Sequence, residues 1–290
     1  MAPEKGAPAP AIPPFDAARL EEDHAAFDVA PFTPPRDEAA DATPETGIDI
    51  ADRPKIVFVA GRGKTGKTTL LRWAAEVAQG HGRPFLMADI DPTNASFSSY
   101  FKGVSRPSSD DPVVVGRWLQ QFVEYAVGHK TSALIDLGGG DTVLRTIAAE
   151  LPGFAEQIEA AGVAPVVFYL AGPQPEDLAP IATLAARRFN PAARAIVLNE
   201  SLAEPGLTRS QAFGPVTRNR VFRDQMTAGA ICLWMPRLHA ASAVELKRAG
   251  FAEARDGKTT PPLGLFDRAR VKLWLDAMAR QFQGVRTWMP

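Results

Sequence analysis

The sequence predicts an α/β fold: a doubly wound, mostly parallel sheet flanked by helices and preceded by a disordered tail. Three observations carry this expectation. From residue 55 onward, short apolar runs ending in Asp, Gly or Asn alternate with stretches of helical periodicity. Most of those runs are apolar on both faces, as strands covered by helices must be. The first run leads into a glycine-rich loop and then a helical pattern, the order strand, loop, helix that a phosphate-binding loop requires.

Taken in chain order, residues 1–53 are rich in Pro, Ala, Asp and Glu, with Pro13-Pro14 and Pro34-Pro35. Such a stretch buries too little apolar surface to offset its ordering entropy and reads as a disordered acidic tail. Phe15, Leu20, Phe27 and Phe32 interrupt its acids, either as scattered solvated residues or as the anchors of a docking peptide. The remaining residues, 54–290, form the expected globular domain. Its strands are expected at Lys55–Ala60, Pro84–Asp89, Thr131–Asp136, Pro165–Leu170, Arg194–Asn199 and Gly229–Met235. Helices are expected at Lys67–Gln79, Val113–Val127, Asp141–Ala161 with a break at Pro152-Gly153, Pro175–Arg188 and Ser242–Ala249. Gly103–Pro112, rich in Ser, Pro and Asp, reads as a surface loop. In the last segment, Leu265–Val285, residues Val271, Leu275, Met278, Phe282 and Val285 form one apolar stripe flanked by Arg268, Lys272, Arg280 and Arg286. That pattern fits a closing helix packed on the domain, a membrane-surface helix or a partner-docking helix.

Composition narrows the function classes. A chain of 290 residues with 46% apolar types can bury one substantial core. Its net charge of −1 gives no global bias toward nucleic acid or an anionic membrane, so any such affinity needs a local patch. The single cysteine, Cys232, allows neither an internal disulfide nor a Cys-x-x-Cys metal site and reads as an inert buried thiol in a reducing compartment. No secretory signal pattern and no apolar stretch near the roughly 20 residues of a transmembrane helix is present, so a cytoplasmic protein without integral membrane association is expected.

Gly61-Arg62-Gly63-Lys64-Thr65-Gly66-Lys67-Thr68 matches the Walker A pattern G-x-x-x-x-G-K-[ST]. Its glycines let backbone N–H groups and a helix N-terminus face phosphates; Lys67 is placed to reach the β/γ-phosphates, and Thr68 offers a hydroxyl to Mg²⁺. The second expected strand ends in Asp89-Ile90-Asp91-Pro92, two carboxylates at the strand ends where ligands of open α/β sheets bind, or else a simple loop cap. The third, Ala133-Leu134-Ile135-Asp136, has the form of a Walker B strand whose acid holds the Mg²⁺ shell. Gly138-Gly139-Gly140 follows, either a γ-phosphate-sensing run or a plain flexible turn, and Asp141 can cap the next helix.

These residues resemble the ParA/MinD family of P-loop ATPases, of the plasmid partition and mobilisation type. Arg62 through Thr69 is similar to that family's deviant Walker A box, K-G-G-x-G-K-T-T, and Asp89-Ile90-Asp91-Pro92 to its D-x-D-P-Q segment. Val197-Leu198-Asn199 resembles its base-contacting strand end and Met235-Pro236-Arg237 its I-P-R turn near the adenine. The resemblance spans about residues 55–250. It implies a SIMIBI-like P-loop NTPase with MgATP held by Gly61, Arg62, Gly63, Lys64, Thr65, Gly66, Lys67, Thr68 and Thr69, with Asn199 and Pro236 at the base. It further implies Thr68 as Mg²⁺ ligand, Asp89 and Asp136 on the Mg²⁺ waters, Asp91 orienting the attacking water, and Lys67 with Arg62 stabilising phosphate charge. Two departures stand out: Arg62 replaces the signature lysine that crosses an ATP-dependent sandwich homodimer, and Lys64 replaces the second glycine. Thr93 stands where the family usually has Gln.

The partners implied are a second copy of the chain, non-specific duplex DNA and a protein that stimulates hydrolysis. Arg209, Arg218, Arg220 and Arg223, with Arg187, Arg188 and Arg194 before them, are candidate phosphate contacts if they share a face, and otherwise ordinary solvated arginines. Two rival readings stay open: a nucleotide-gated adaptor with little hydrolysis, and an ATP-dependent small-molecule ligase of the same fold. The single cysteine argues strongly against an iron–sulfur relative.

Overall fold

A computed structural model describes residues 43–91, 97–138 and 142–290 of the chain. The expected tail therefore lies mostly outside the described residues, as do Pro92, Thr93, Gly139, Gly140 and Asp141.

Seven strands form one all-parallel sheet in the order β3-β2-β4-β1-β5-β6-β7. They are β1 (Lys55–Ala60), β2 (Phe85–Asp89), β3 (Val104–Ser105), β4 (Ser132–Asp136), β5 (Ala164–Ala171), β6 (Ala193–Asn199) and β7 (Ile231–Met235). Strand alternation divides the interior into two cores. Val57 and Val59 of β1 join one and Ile56, Phe58 and Ala60 the other; Phe168 and Tyr169 of β5 separate in the same way. The first core is covered by α1 (Lys67–His81), α8 (Ala241–Lys247), α9 (Phe251–Arg255) and α10 (Leu265–Gln281). The second is covered by α2 (Pro112–Gly128), α3 (Thr142–Glu150), α4 (Phe154–Ala160), α5 (Ala179–Ala186), α6 (Arg209–Thr217) and α7 (Arg220–Thr227). β1 thus sits mid-sheet with apolar packing on both sides. The glycine-rich loop at its C-terminal end is mounted on a strand buried along its whole length.

The six expected strands are present, and the fold is the doubly wound α/β architecture expected. The structure departs from the sequence reading in several places. The Gly103–Pro112 stretch contributes β3, two residues that extend the sheet beside β2. The β6–β7 crossover contains α6 and α7, and α9 follows α8, none of which the sequence reading expected. The C-terminal helix stops at Gln281 and passes into a 3-10 turn, Gln283–Trp288, so Phe282 and Val285 are buried from the turn. Within the helix Val271, Trp274 and Met278 face the core while Leu275 is half-buried, because Trp274 fills the space against Phe251 at 4.7 Å between ring centroids. Of the readings offered for this helix, packing on the domain is realised, although Leu265, Phe266 and Leu273 remain exposed on its outer side.

Residues 45–50, just before the expected boundary at residue 53, pack on the domain. Trp288 Nε1 donates to Ile48 O at 2.8 Å, Gly47 N donates to Gly284 O at 3.0 Å, and Ile50 is buried. The acid at Glu45 is part of this packing, since its Oε2 accepts from Cys232 N of edge strand β7 at 3.0 Å. Cys232 itself is half-buried, and burial, with the Glu45 carboxylate adding, pushes its thiol up to about 12, so no thiolate forms near neutrality. Among the described residues no helix is long and apolar enough to cross a membrane.

Candidate functional site

The loop after β1 is shaped by backbone constraints. Gly66 has φ 96°, and a Cβ there would lie 2.5 Å from Asn199 Nδ2 and 2.9 Å from Met235 Cε, so only glycine fits before α1 begins. Lys64 adopts φ 66°, a left-handed conformation that costs a side-chain-bearing residue roughly 1–2 kcal/mol. The loop closes on itself through Thr65 Oγ1, which donates to Arg62 O at 2.8 Å, and through Lys67 Nζ, which donates to Gly61 O and Arg62 O, each at 2.8 Å. Gly66 supplies no side-chain cap to α1, which leaves that helix N-terminus to a ligand of negative charge.

Asp89 and Asp136 end adjacent parallel strands at paired register positions and are both almost fully buried. Asp136 Oδ2 accepts from Thr68 Oγ1 at 3.0 Å and Oδ1 from Gly138 N at 3.1 Å. Asp89 Oδ1 accepts from Asp91 N at 3.1 Å and Oδ2 from Ser98 N at 2.8 Å. Burial, with Asp89 adding like charge, pushes the Asp136 carboxyl up to about 6 against the pull of Gly138, Thr68 and Lys67. Asp91 lies over Gly138, where a Cβ would come within 2.9 Å of its Cγ; with φ 69° that glycine cannot be replaced without moving Asp91. The structure thus brings together Lys67, Thr68, Asp89, Asp91 and Asp136 as the spacing predicted.

Two buried carboxylates and a hydroxyl suit a hard divalent cation better than any soft metal. Among the described residues no group of three or more His, Cys, Asp or Glu forms a cage, so such a cation would need phosphate and water oxygens to complete its shell. The donor set fits Mg²⁺ bound together with a nucleotide.

Other predicted residues occupy different roles. The Arg62 guanidinium is half-exposed and lies 3.3 Å from Asp177 Oδ1, whose Oδ2 accepts from Gly172 N at 3.0 Å. Asn199, expected at the base, is buried and has both ends of its amide engaged: Nδ2 donates to Thr65 O at 2.9 Å and Oδ1 accepts from Ser201 N at 2.9 Å. It braces the loop. Pro236 O accepts from Trp274 Nε1 at 2.9 Å. One residue beyond Asn199, Glu200 borders a cavity of about 460 Å³ whose wall also includes Pro205, Phe213, Arg237 and His239. Arg237 bridges Glu200 O at 3.0 Å and Ala203 O.

The arginine group divides. Arg209 is engaged inward, with Nε 2.5 Å from Glu200 Oε1 and its guanidinium 4.6 Å from the Trp234 ring. It braces the cavity wall and is not available to contact DNA, a correction to the sequence reading. Arg194 is also buried, donating to Pro191 O at 2.8 Å and to Ala228 O. Arg218, Arg220 and Arg223 are exposed at the α6–α7 junction, and Arg220 meets only the solvated Asp224 at 3.3 Å. Asp177, Ser98 and Glu200 escaped the sequence reading because each acts through a partner far away in the chain or through a backbone amide.

No protein-family model matches the chain, and no curated protein matches it in sequence. Among solved structures it is similar to a chain of the MinC:MinD cell division protein complex of Aquifex aeolicus, at 12% identity over 76% of this chain and 96% of that one, with TM-score 0.43. It is also similar to chloroplast FtsY from Physcomitrella patens, at 16% identity over 81% and 69% of the two chains, TM-score 0.41. FtsY of Thermotoga maritima matches at 17% identity over 80% and 72%, TM-score 0.40. The P-loop nucleoside-triphosphatase fold rests on the sheet order and the loop geometry themselves.

Proposed function

We propose that the chain is a MgATP-binding, slowly hydrolysing switch ATPase of the ParA/MinD-like kind, cytoplasmic, that positions, partitions or mobilises DNA cargo as an ATP-dependent homodimer answering to a stimulating partner protein. The observation that carries this reading is the Thr68 hydroxyl bonded to the buried Asp136 carboxylate at the foot of a Walker loop that holds Lys67. Mg²⁺, when bound with ATP, neutralises charge on the β/γ-phosphates. Thr68, Asp136 and Asp89 would hold the cation and its waters, Lys67 would leave its loop carbonyls to meet phosphate, and Asp91 would direct the attacking water. The exposed Arg218, Arg220 and Arg223 are the surface for duplex phosphates.

Lys67→Ala tests the site: nucleotide affinity should be lost, because Lys67 is the side-chain cation that the Walker pattern directs at the β/γ-phosphates. Undiminished ATP binding would overturn the assignment.

The Arg62–Asp177 pair favours a second reading, the nucleotide-gated adaptor with little turnover, because Arg62 held by its own chain is not extended toward a partner copy. Tight ATP binding by the unaltered protein with no phosphate release, with or without DNA, would select it.

A further inference from the structure

Arg72 lies one turn beyond Thr68 on α1 and is almost fully buried. Its guanidinium sits 3.5 Å over the Tyr100 ring centroid and 4.4 Å from that of Phe251, and Nη2 donates to Ala249 O at 2.8 Å. Nε has no hydrogen-bond partner. Arg72 forms no ion pair among the described residues, and the neighbouring Glu76 carboxylate is spent on the amides of Phe251 and Ala252, at 2.6 and 2.9 Å. A cation buried with one neutral acceptor and two aromatic faces is a poor way to fill a core, since apolar side chains of similar volume usually serve stability as well or better. Its placement has to be explained by what it holds.

What it holds is the stretch that returns from the carboxylates. Phe97 is fully buried, Ser98 N is bonded to Asp89 Oδ2, and Tyr100 N donates to Phe97 O at 3.1 Å. Tyr100 is therefore two residues from the amide that orients the Asp89 carboxylate, and the other oxygen of that carboxylate accepts from Asp91 N. The order of contact runs from α1 through Arg72 and Tyr100 to Ser98, then Asp89 and Asp91.

We propose that Arg72 is a positioning residue, clamping Tyr100 against the phosphate-loop helix so that Ser98 fixes the Asp89 carboxylate, and through it Asp91, in the geometry needed for nucleotide hydrolysis. This rests on the reading of the site as an ATPase. Because the ring face carries the interaction, a phenylalanine at residue 100 suffices and an aliphatic side chain does not. The loop around the phosphates is untouched by either change, so the loss falls on turnover.

The test uses Tyr100→Phe and Tyr100→Leu in the full chain, substitutions at a half-buried position that spare the core, with Arg72→Met as a third variant. Steady-state ATP turnover and hydrogen exchange at the Ser98 amide are measured on each. Tyr100→Phe should match the unaltered protein. Tyr100→Leu and Arg72→Met should lower kcat about 10-fold or more with KM for ATP within about twofold, as a displaced catalytic group does. They should also speed Ser98 exchange about 10-fold while the amides of Leu71 to Ala75 keep their protection. Unchanged kcat and Ser98 protection in Tyr100→Leu would overturn the proposal, as would equal losses in Tyr100→Phe. If the unaltered protein turns over no ATP, the ATPase reading falls, and Ser98 exchange still decides whether Arg72 holds this stretch.

Discussion

Replacing Asp136 by Asn should stabilise the nucleotide-free protein at neutral pH and remove its Mg²⁺-dependent nucleotide affinity in one step. The Asp136 carboxyl is pushed up to about 6 in the folded chain, chiefly by burial, against an ordinary value of about 3.9 in the unfolded one. The folded state thus binds the more protons between these two values. Its stability from this group is fully present below about pH 4 and is lost as pH rises through about 6. A difference of that size between the folded and unfolded chains corresponds to about 3 kcal/mol at pH 7.5. Asn removes the ionisation and can keep both local bonds: Oδ1 still accepts from Gly138 N, and the Thr68 hydroxyl can turn to accept from the new amide. Imperfect geometry returns about 1 kcal/mol, leaving a gain of about 2 kcal/mol. Urea unfolding of both proteins without Mg²⁺ or nucleotide, at several values between pH 4.5 and 7.5, measures it. Groups that titrate alike in both proteins cancel, Glu76 among them, whose carboxyl burial also raises. A gap that does not widen with pH, or an Asn variant less stable at pH 7.5, would refute the reasoning.

Asp91→Ala should retain ATP binding and accumulate the ATP-bound form, seen as lost phosphate release at normal affinity; unchanged turnover, with Asp89→Ala inactive, would mean the two roles are exchanged. Lys64→Gly should raise stability by about 0.5–1 kcal/mol in urea unfolding, since relief of the left-handed lysine exceeds glycine's added chain entropy. A loss would mean that the exposed Lys64 side chain makes a contact worth more than the strain. Arg218→Glu with Arg220→Glu should weaken duplex binding about 10-fold or more and lower the slope of log affinity against log salt by about 2, with nucleotide affinity unchanged. An unaltered salt slope would place DNA contacts, if any, on another surface.

Much of the fold was legible because the strands are apolar on both faces and end in polar residues: Asp89, Asp136 and Asn199 each close a strand the sequence already delimits. Of the missed helices, α7 is amphipathic but only eight residues long, and α6 had little periodic signal to give. In α6 Gly214 and Pro215 interrupt the helical pattern, and only the box formed by Thr208 and Gln211 announced its start. β3 is too short to show alternation at all. Side-chain commitments were illegible for a different reason. Whether Arg209 faces solvent or stacks on Trp234 depends on how two strands and a crossover close, and no local pattern encodes that. Asn199 shows the same limit: its place beside the loop was readable, but its use as a brace was not.

The contact between Gly47 and Trp288 bears on biosynthesis. A Cβ at Gly47 would lie 2.2 Å from the Trp288 ring, so the two meet without space for adjustment. The hydrogen bonds that hold residues 45–50 reach forward to Cys232, Gly284 and Thr287, near the other end of the chain. A ribosome delivers residue 45 long before residue 288. Throughout that interval Gly47, Ile48 and Ile50 lack the partners that Gly284, Trp288 and Thr287 supply. The earliest of the described residues to emerge thus depend on some of the last for their partners, and the same stretch carries the Glu45 carboxylate that meets the Cys232 amide at the β7 edge.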